Sequence, residues 1–133
     1  MIKPAFLGVS MVFVLLLFSG CAPSQQTWHD AGLKPLTHDE LENLFSRRRT
    51  TRWTSSEYRK GAGAYDRGGA AKLNWYKGEA VGSWRIVGDT FCTKYPKIHG
   101  GNESCFTFYK TGVNQYLLYL PDGAFNATVE FTN

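Results

Sequence analysis

From Phe125 to Thr132 apolar and polar residues alternate without a break: Phe125, Ala127, Val129 and Phe131 on one side, Asn126, Thr128, Glu130 and Thr132 on the other. A period of two marks a half-buried antiparallel strand, with one face on a core and one in water. From Thr50 onward, short segments of similar character are separated by turn signals about every ten residues. Candidate turns are Lys77-Gly78, Gly88-Asp89, Thr111-Gly112 and Pro121-Asp122-Gly123. Gly88-Asp89 stands between Trp84-Arg85-Ile86-Val87 and Thr90-Phe91-Cys92, and a glycine-first pair suits a tight hairpin. Tyr116, Leu118 and Leu120 line one face of a further strand. The pattern predicts a mainly β fold of six to eight antiparallel strands, curled into a small barrel or stacked as a sandwich.

One short helix precedes the strands in this reading. Thr37 and Glu40 have capping-box spacing, which satisfies two free backbone N–H groups at a helix start. Asp39, Glu40 and Glu42 suit the positive end of the helix dipole, and Arg47-Arg48-Arg49 suits the other. Leu41, Leu44 and Phe45 fall at helical spacing and face a core, either at one end of the β-domain or across one mouth. Before the helix, Pro23, Ser24, Gln25, Gln26 and Pro35 break any period, so residues 21–36 read as a flexible tether and 37–133 as a single domain.

The first residues read as an export signal. Lys3 supplies a positive start and Ala5–Phe18 is almost wholly apolar, shorter than the roughly 20 residues a spanning helix needs. The run ends in Leu17-Phe18-Ser19-Gly20-Cys21, with Phe18 three before the cysteine. Small residues just before a cysteine resemble the lipobox of bacterial lipoproteins. That resemblance implies cleavage after residue 20, a diacylglyceryl and palmitate anchor on Cys21, and a cell-envelope address. Ala22, where an Asp would imply inner-membrane retention, points to the outer membrane with the domain facing the periplasm. Three cysteines are present, and with Cys21 lipidated an even pair remains, Cys92 and Cys105. An oxidising compartment closes such a pair. A metal site lacks partners, since His99 is the one histidine between them.

Leu36-Thr37-His38-Asp39-Glu40-Leu41 with Leu44-Phe45, then Tyr65, Gly68-Gly69, Gly82-Ser83-Trp84-Arg85-Ile86-Val87-Gly88-Asp89, Cys92, Cys105 and Tyr116 together resemble a group of small exported alphaproteobacterial domains of unknown function. That resemblance implies a fold and no activity. Tyr65 with Trp75-Tyr76-Lys77-Gly78-Glu79-Ala80 looks like the signature of membrane-bound inhibitors of chicken-type lysozyme. In that family a serine of a Ser-Gly-x-x-Tyr stretch and the lysine of a Lys-Gly pair enter the lysozyme cleft. Lys77 matches the lysine; the serine has no counterpart in Gly61-Ala62-Gly63-Ala64-Tyr65.

Chemistry-bearing patterns are sparse. His29, His38 and His99 fall at no metal-ligand spacing, and neither a nucleophile elbow nor a phosphate loop occurs. Glu40 and Glu42 fall on different helix faces. No catalytic residue, metal or cofactor is assigned, and the expectation is a non-catalytic protein, with an enzyme of unrecognised type as an alternative. Without residues 1–20, which hold Lys3 and no acid, 14 Lys+Arg face 11 Asp+Glu, a net charge of +3. The positive charge is concentrated in Arg47, Arg48, Arg49, Arg52, Arg59 and Lys60, interleaved with Trp53 and Tyr58. This stretch is the candidate binding surface for a protein or an anionic envelope component, because arginine clusters favour bidentate phosphate contacts. The exported address argues against nucleic acid. Trp75, Trp84, Phe91, Phe106 and Phe108 are expected to fill the β core.

Overall fold

The computed structural model describes residues Ser24–Asn133; the expected signal peptide and Cys21 lie outside the described residues. Eight strands follow in chain order: β1 (Arg49–Ser55), β2 (Lys60–Tyr65), β3 (Ala70–Trp75), β4 (Gly78–Val87), β5 (Thr90–Lys94), β6 (Glu103–Gly112), β7 (Gln115–Tyr119) and β8 (Phe125–Phe131). Each pairs antiparallel with the next and β8 returns to β1, closing an up-and-down barrel without a sheet edge. The alternation at the C-terminal end is kept: Ala127, Val129 and Phe131 are buried, Thr128 and Glu130 exposed.

Local sequence explains the turns. Gly88 takes φ 56° in the two-residue β4–β5 connection, where a Cβ would be strained. The expected turn at Thr111-Gly112 falls two residues later, at Val113-Asn114, because Gly112 still pairs with Gln115 and Asn114 supplies the positive φ of 59°. Cys92 and Cys105 are direct partners across β5 and β6, with Cα atoms 4.0 Å apart, and form a disulfide.

The barrel has two unlike ends. At one, the β2–β3, β4–β5 and β6–β7 turns gather beneath the helix α2 (His38–Leu44), capped by Thr37 and Glu40 in a reciprocal box. The His38 backbone N–H donates to Asp89 Oδ1 at 2.7 Å, fixing α2 to the β4–β5 turn. Phe45, just past the helix, enters the barrel and stacks on Phe91 at a 4.2 Å centroid separation, with edge contacts to Tyr65, Phe108 and Phe131. Full burial of one such ring contributes about 1.5–3 kcal/mol. This end is closed.

The other end carries the β1–β2, β3–β4, β5–β6 and β7–β8 connections, the β5–β6 one holding a single 3-10 turn (His99–Gly101), and among the described residues no α-helix crosses it. Part of the stretch expected to be a flexible tether holds a further helix, α1 (Gln25–Asp30), on the outer wall. Trp28 Nε1 donates to the Tyr119 hydroxyl at 2.7 Å, and His29 Nε2 shares a 2.8 Å hydrogen bond with the Tyr109 hydroxyl. Both tyrosines point outward from β6 and β7, so burying them needs such a cover. Leu36 then enters the core, its N–H donating to the Phe108 carbonyl.

Candidate functional site: the barrel lumen

Side chains facing inward leave a cavity of about 220 Å³, floored by Phe45 and opening at the end opposite α2. Its walls are aromatic: Trp53, Tyr65, Trp75, Tyr95, Phe91, Phe106, Phe108 and Phe131. Ser55, Ser104, Asn102 and Asn126 lie toward the open end. No Asp, Glu, Lys, Arg or Cys is among the lining residues. With His99 as its one histidine, beside Asn102 in the β5–β6 connection, the chamber is apolar at depth and polar at its mouth, as small-ligand pockets are.

Space for the large rings comes from glycine. Gly61 and Gly63 face inward from β2, and a Cβ at position 61 would stand 2.1 Å from Trp53 Cζ2 and 2.4 Å from the Asn74 carbonyl oxygen. At position 63 it would meet the Tyr65 hydroxyl at 2.7 Å and Thr51 Oγ1 at 2.9 Å. Gly82 does the same on β4, where a Cβ would lie 2.1 Å from the Lys94 carbonyl oxygen and 2.7 Å from Tyr95 Cδ1.

Polar groups in the wall are incompletely satisfied. Trp53 Nε1 is buried and has no acceptor among the described residues. Such a donor costs about 1–3 kcal/mol. The Tyr95 and Tyr65 hydroxyls lie close enough to affect each other's ionisation, but the geometry closes no hydrogen bond at Tyr95. Burial pushes both phenols above their ordinary pKa; a hydrogen bond with Thr51 partly offsets this at Tyr65. Both are neutral donors at any physiological pH.

The basic stretch is divided by the fold. Arg49 is buried at the closed end, donating from Nη1 to the Leu44 carbonyl at 3.0 Å and from Nη2 to the Asn133 carbonyl at 3.2 Å. It lies 4.5 Å over the Phe131 ring, and desolvation, then Arg47, lowers its pKa. Arg47 and Arg48 are exposed at that same end, Arg48 facing Asp66 at 3.4 Å. Arg52 pairs with Glu130 at 3.4 Å on the outer wall. Arg59 and Lys60 stand at the open end, with Arg59 3.8 Å over the Tyr76 ring and 3.5 Å from Glu57. Arg52, Lys60 and Glu130 border a shallow groove on the outer wall. Trp53, grouped with this surface in the sequence, turns its ring into the lumen.

Lys77 projects from the β3–β4 turn, 5.4 and 5.6 Å from the Trp75 and Tyr76 rings. The sulfurs of Cys92 and Cys105 gather with the Glu103 carboxylate within 4.8 Å, but as a disulfide they offer no thiolate pair to a metal. Glu103 is occupied by Arg85, at 2.7 and 2.8 Å, which lowers its pKa.

The lumen residues were within reach of the sequence through one signal. In Thr51-Arg52-Trp53-Thr54-Ser55 the period of two puts Trp53 with Thr51 and Ser55, away from Arg52. Gly61 and Gly63 repeat at the same period opposite them. Fold and site together define a class, the closed antiparallel β-barrel with a lumen open at one end. Comparison with family models, with curated proteins and with solved structures returns no match.

Proposed function

We propose that this protein is a non-catalytic, lipid-anchored lipoprotein of the bacterial cell envelope, periplasm-facing at the outer membrane, whose barrel lumen binds a small amphipathic molecule. One observation carries the ligand: an aromatic chamber of about 220 Å³ with a buried indole N–H in its wall that has no acceptor among the described residues. At about 15 Å³ of such volume per atom the chamber takes on the order of fifteen non-hydrogen atoms. A ligand of that size gaining about 0.4 kcal/mol per atom binds with a Kd of tens of micromolar. Its apolar body lies against Phe91, Phe106 and Phe108, and an acceptor group meets Trp53 or Tyr95.

The anchor rests on Phe18-Ser19-Gly20-Cys21 and on the even cysteine pair left over. The non-catalytic reading rests on the lack of a nucleophile–base motif in the sequence and on a lining without Asp, Glu, Lys, Arg or Cys, in which His99 is the one histidine. The anionic contact expected of Arg47–Lys60 is assigned to its open-end members, Arg59 and Lys60, since Arg49 is engaged inside. Native mass spectrometry of protein extracted from membranes tests the whole reading. A chain beginning at acylated Cys21 and retaining a small non-covalent molecule supports it; a chain with neither refutes it.

One observation favours a second reading, the exposure of Lys77 at a turn tip beside two aromatic rings. This suits an inhibitor lysine that enters a lysozyme cleft. No inhibition of chicken-type lysozyme by a large molar excess of mature protein dismisses it.

A further inference from the structure

We infer that the lipid anchor holds the open mouth of the barrel against the bilayer surface, so that the ligand passes between membrane and lumen without crossing the periplasm. This rests on the reading of Cys21 as the acylated N-terminus.

The path of the chain supplies the geometry. α1 starts at the open end: a Cβ on Gly123, in the β7–β8 connection, would lie 3.5 Å from Gln25 Oε1. From there Trp28 and His29 follow the outer wall, bonded to Tyr119 and Tyr109, before Leu36 and α2 reach the closed end. Between Cys21 and Ser24 the chain spans at most about 11 Å when fully extended. The anchor therefore leaves the domain beside the mouth and within reach of it. A long free tether would have left orientation open; α1 bonded to the wall does not.

The two ends also differ in charge. Lys77 and Lys97 on open-end connections, and Lys60 at the open-end start of β2, make no ion pair among the described residues. The closed end carries Asp39, Glu40, Glu42 and Asp89 on α2 and the turn beneath it, with Arg47, Arg48 and Arg67 beside them, so both signs of charge are mixed there. The lysines of the first end suit an anionic lipid surface. Tyr58 and Tyr76, 79% and 58% exposed, project from the open-end turns, and amphipathic rings of this kind favour the headgroup layer.

The test places a fluorophore at either end of the acylated protein, on Lys97→Cys at the mouth and on Val113→Cys at the closed end. Each is reconstituted into vesicles of anionic and zwitterionic phospholipid carrying a headgroup-proximal spin-label quencher. The expected result is several-fold stronger quenching at position 97, repeated with Lys60→Cys against Arg67→Cys. Equal quenching, or stronger quenching at position 113, overturns the inference while leaving the anchor standing. The intact mass of each preparation separates the two: an unacylated Cys21 removes the anchor, and the inference falls with it.

Discussion

Trp53 and Gly61 are direct partners across β1 and β2, and the indole lies over the glycine so closely that no side chain fits between them. The contact decides where one of the two indoles of the lumen wall sits. Gly61→Ala forces the Trp53 ring or the strand to move. Overpacking of this kind costs about 1–3 kcal/mol. Urea unfolding followed by tryptophan fluorescence reads both the lower midpoint and the changed indole environment. Ala62→Ser, on the outer face of the same strand, is expected to leave both unchanged.

Removing the disulfide acts mainly on the unfolded chain. Cys92 and Cys105 are 13 residues apart, and closing a loop of that size contributes about 3 kcal/mol. A Cys92→Ser, Cys105→Ser double variant is expected to lose that amount in denaturant titration. Reduction of the unaltered protein should match it.

His38 makes α2 docking pH-dependent. The Gly88 carbonyl accepts from Nδ1 at 2.6 Å and Glu42 lies 3.0 Å from Nε2, which together raise the imidazole pKa. A raised folded-state pKa means that the protonated form stabilises. The contribution is complete below the unfolded value of about 6.5 and disappears as pH climbs through the folded value. The stability difference between wild type and His38→Ala is therefore larger near about pH 5 than near about pH 9. Proton NMR of the imidazole should show titration above 6.5.

Arg49 is structural and Arg47 is not. Arg49→Ala removes two hydrogen bonds and the cover over Phe131, with an expected loss of about 2–4 kcal/mol. Arg47→Ala, at an exposed site, stays within about 0.5 kcal/mol of wild type. Thermal melts of the two variants separate them. A test of the basic stretch for anionic binding must therefore keep Arg49.

Much of the scaffold was legible because it obeys local rules. The alternation at Phe125–Phe131 and the Gly88-Asp89 hairpin follow from residue spacing, and the Cys92–Cys105 pair from the even count left once Cys21 is set aside. What spacing left open was closure. Barrel and sandwich share the same strand pattern, and the β1–β8 pairing that separates them is a long-range contact. The lumen was hidden for a related reason. Trp75, Phe91, Phe106 and Phe108 do point inward as expected, but whether inward rings fill a barrel or leave a chamber depends on its diameter. Trp53 was misgrouped because its charged neighbours outweighed its strand parity. α1 was missed because its outer-wall tyrosines, Tyr109 and Tyr119, lie some eighty and ninety residues away from the side chains that cover them.

The most direct measurement is calorimetric titration of mature protein with decanoate, alongside a Leu73→Trp variant that fills the lumen and a Ser104→Phe variant that narrows it near the mouth. Saturable binding with a Kd of about tens of micromolar, weakened at least severalfold in both variants, is the predicted result. No saturable binding to the unaltered protein, or binding untouched by either substitution in a folded variant, would contradict a ligand site in the barrel.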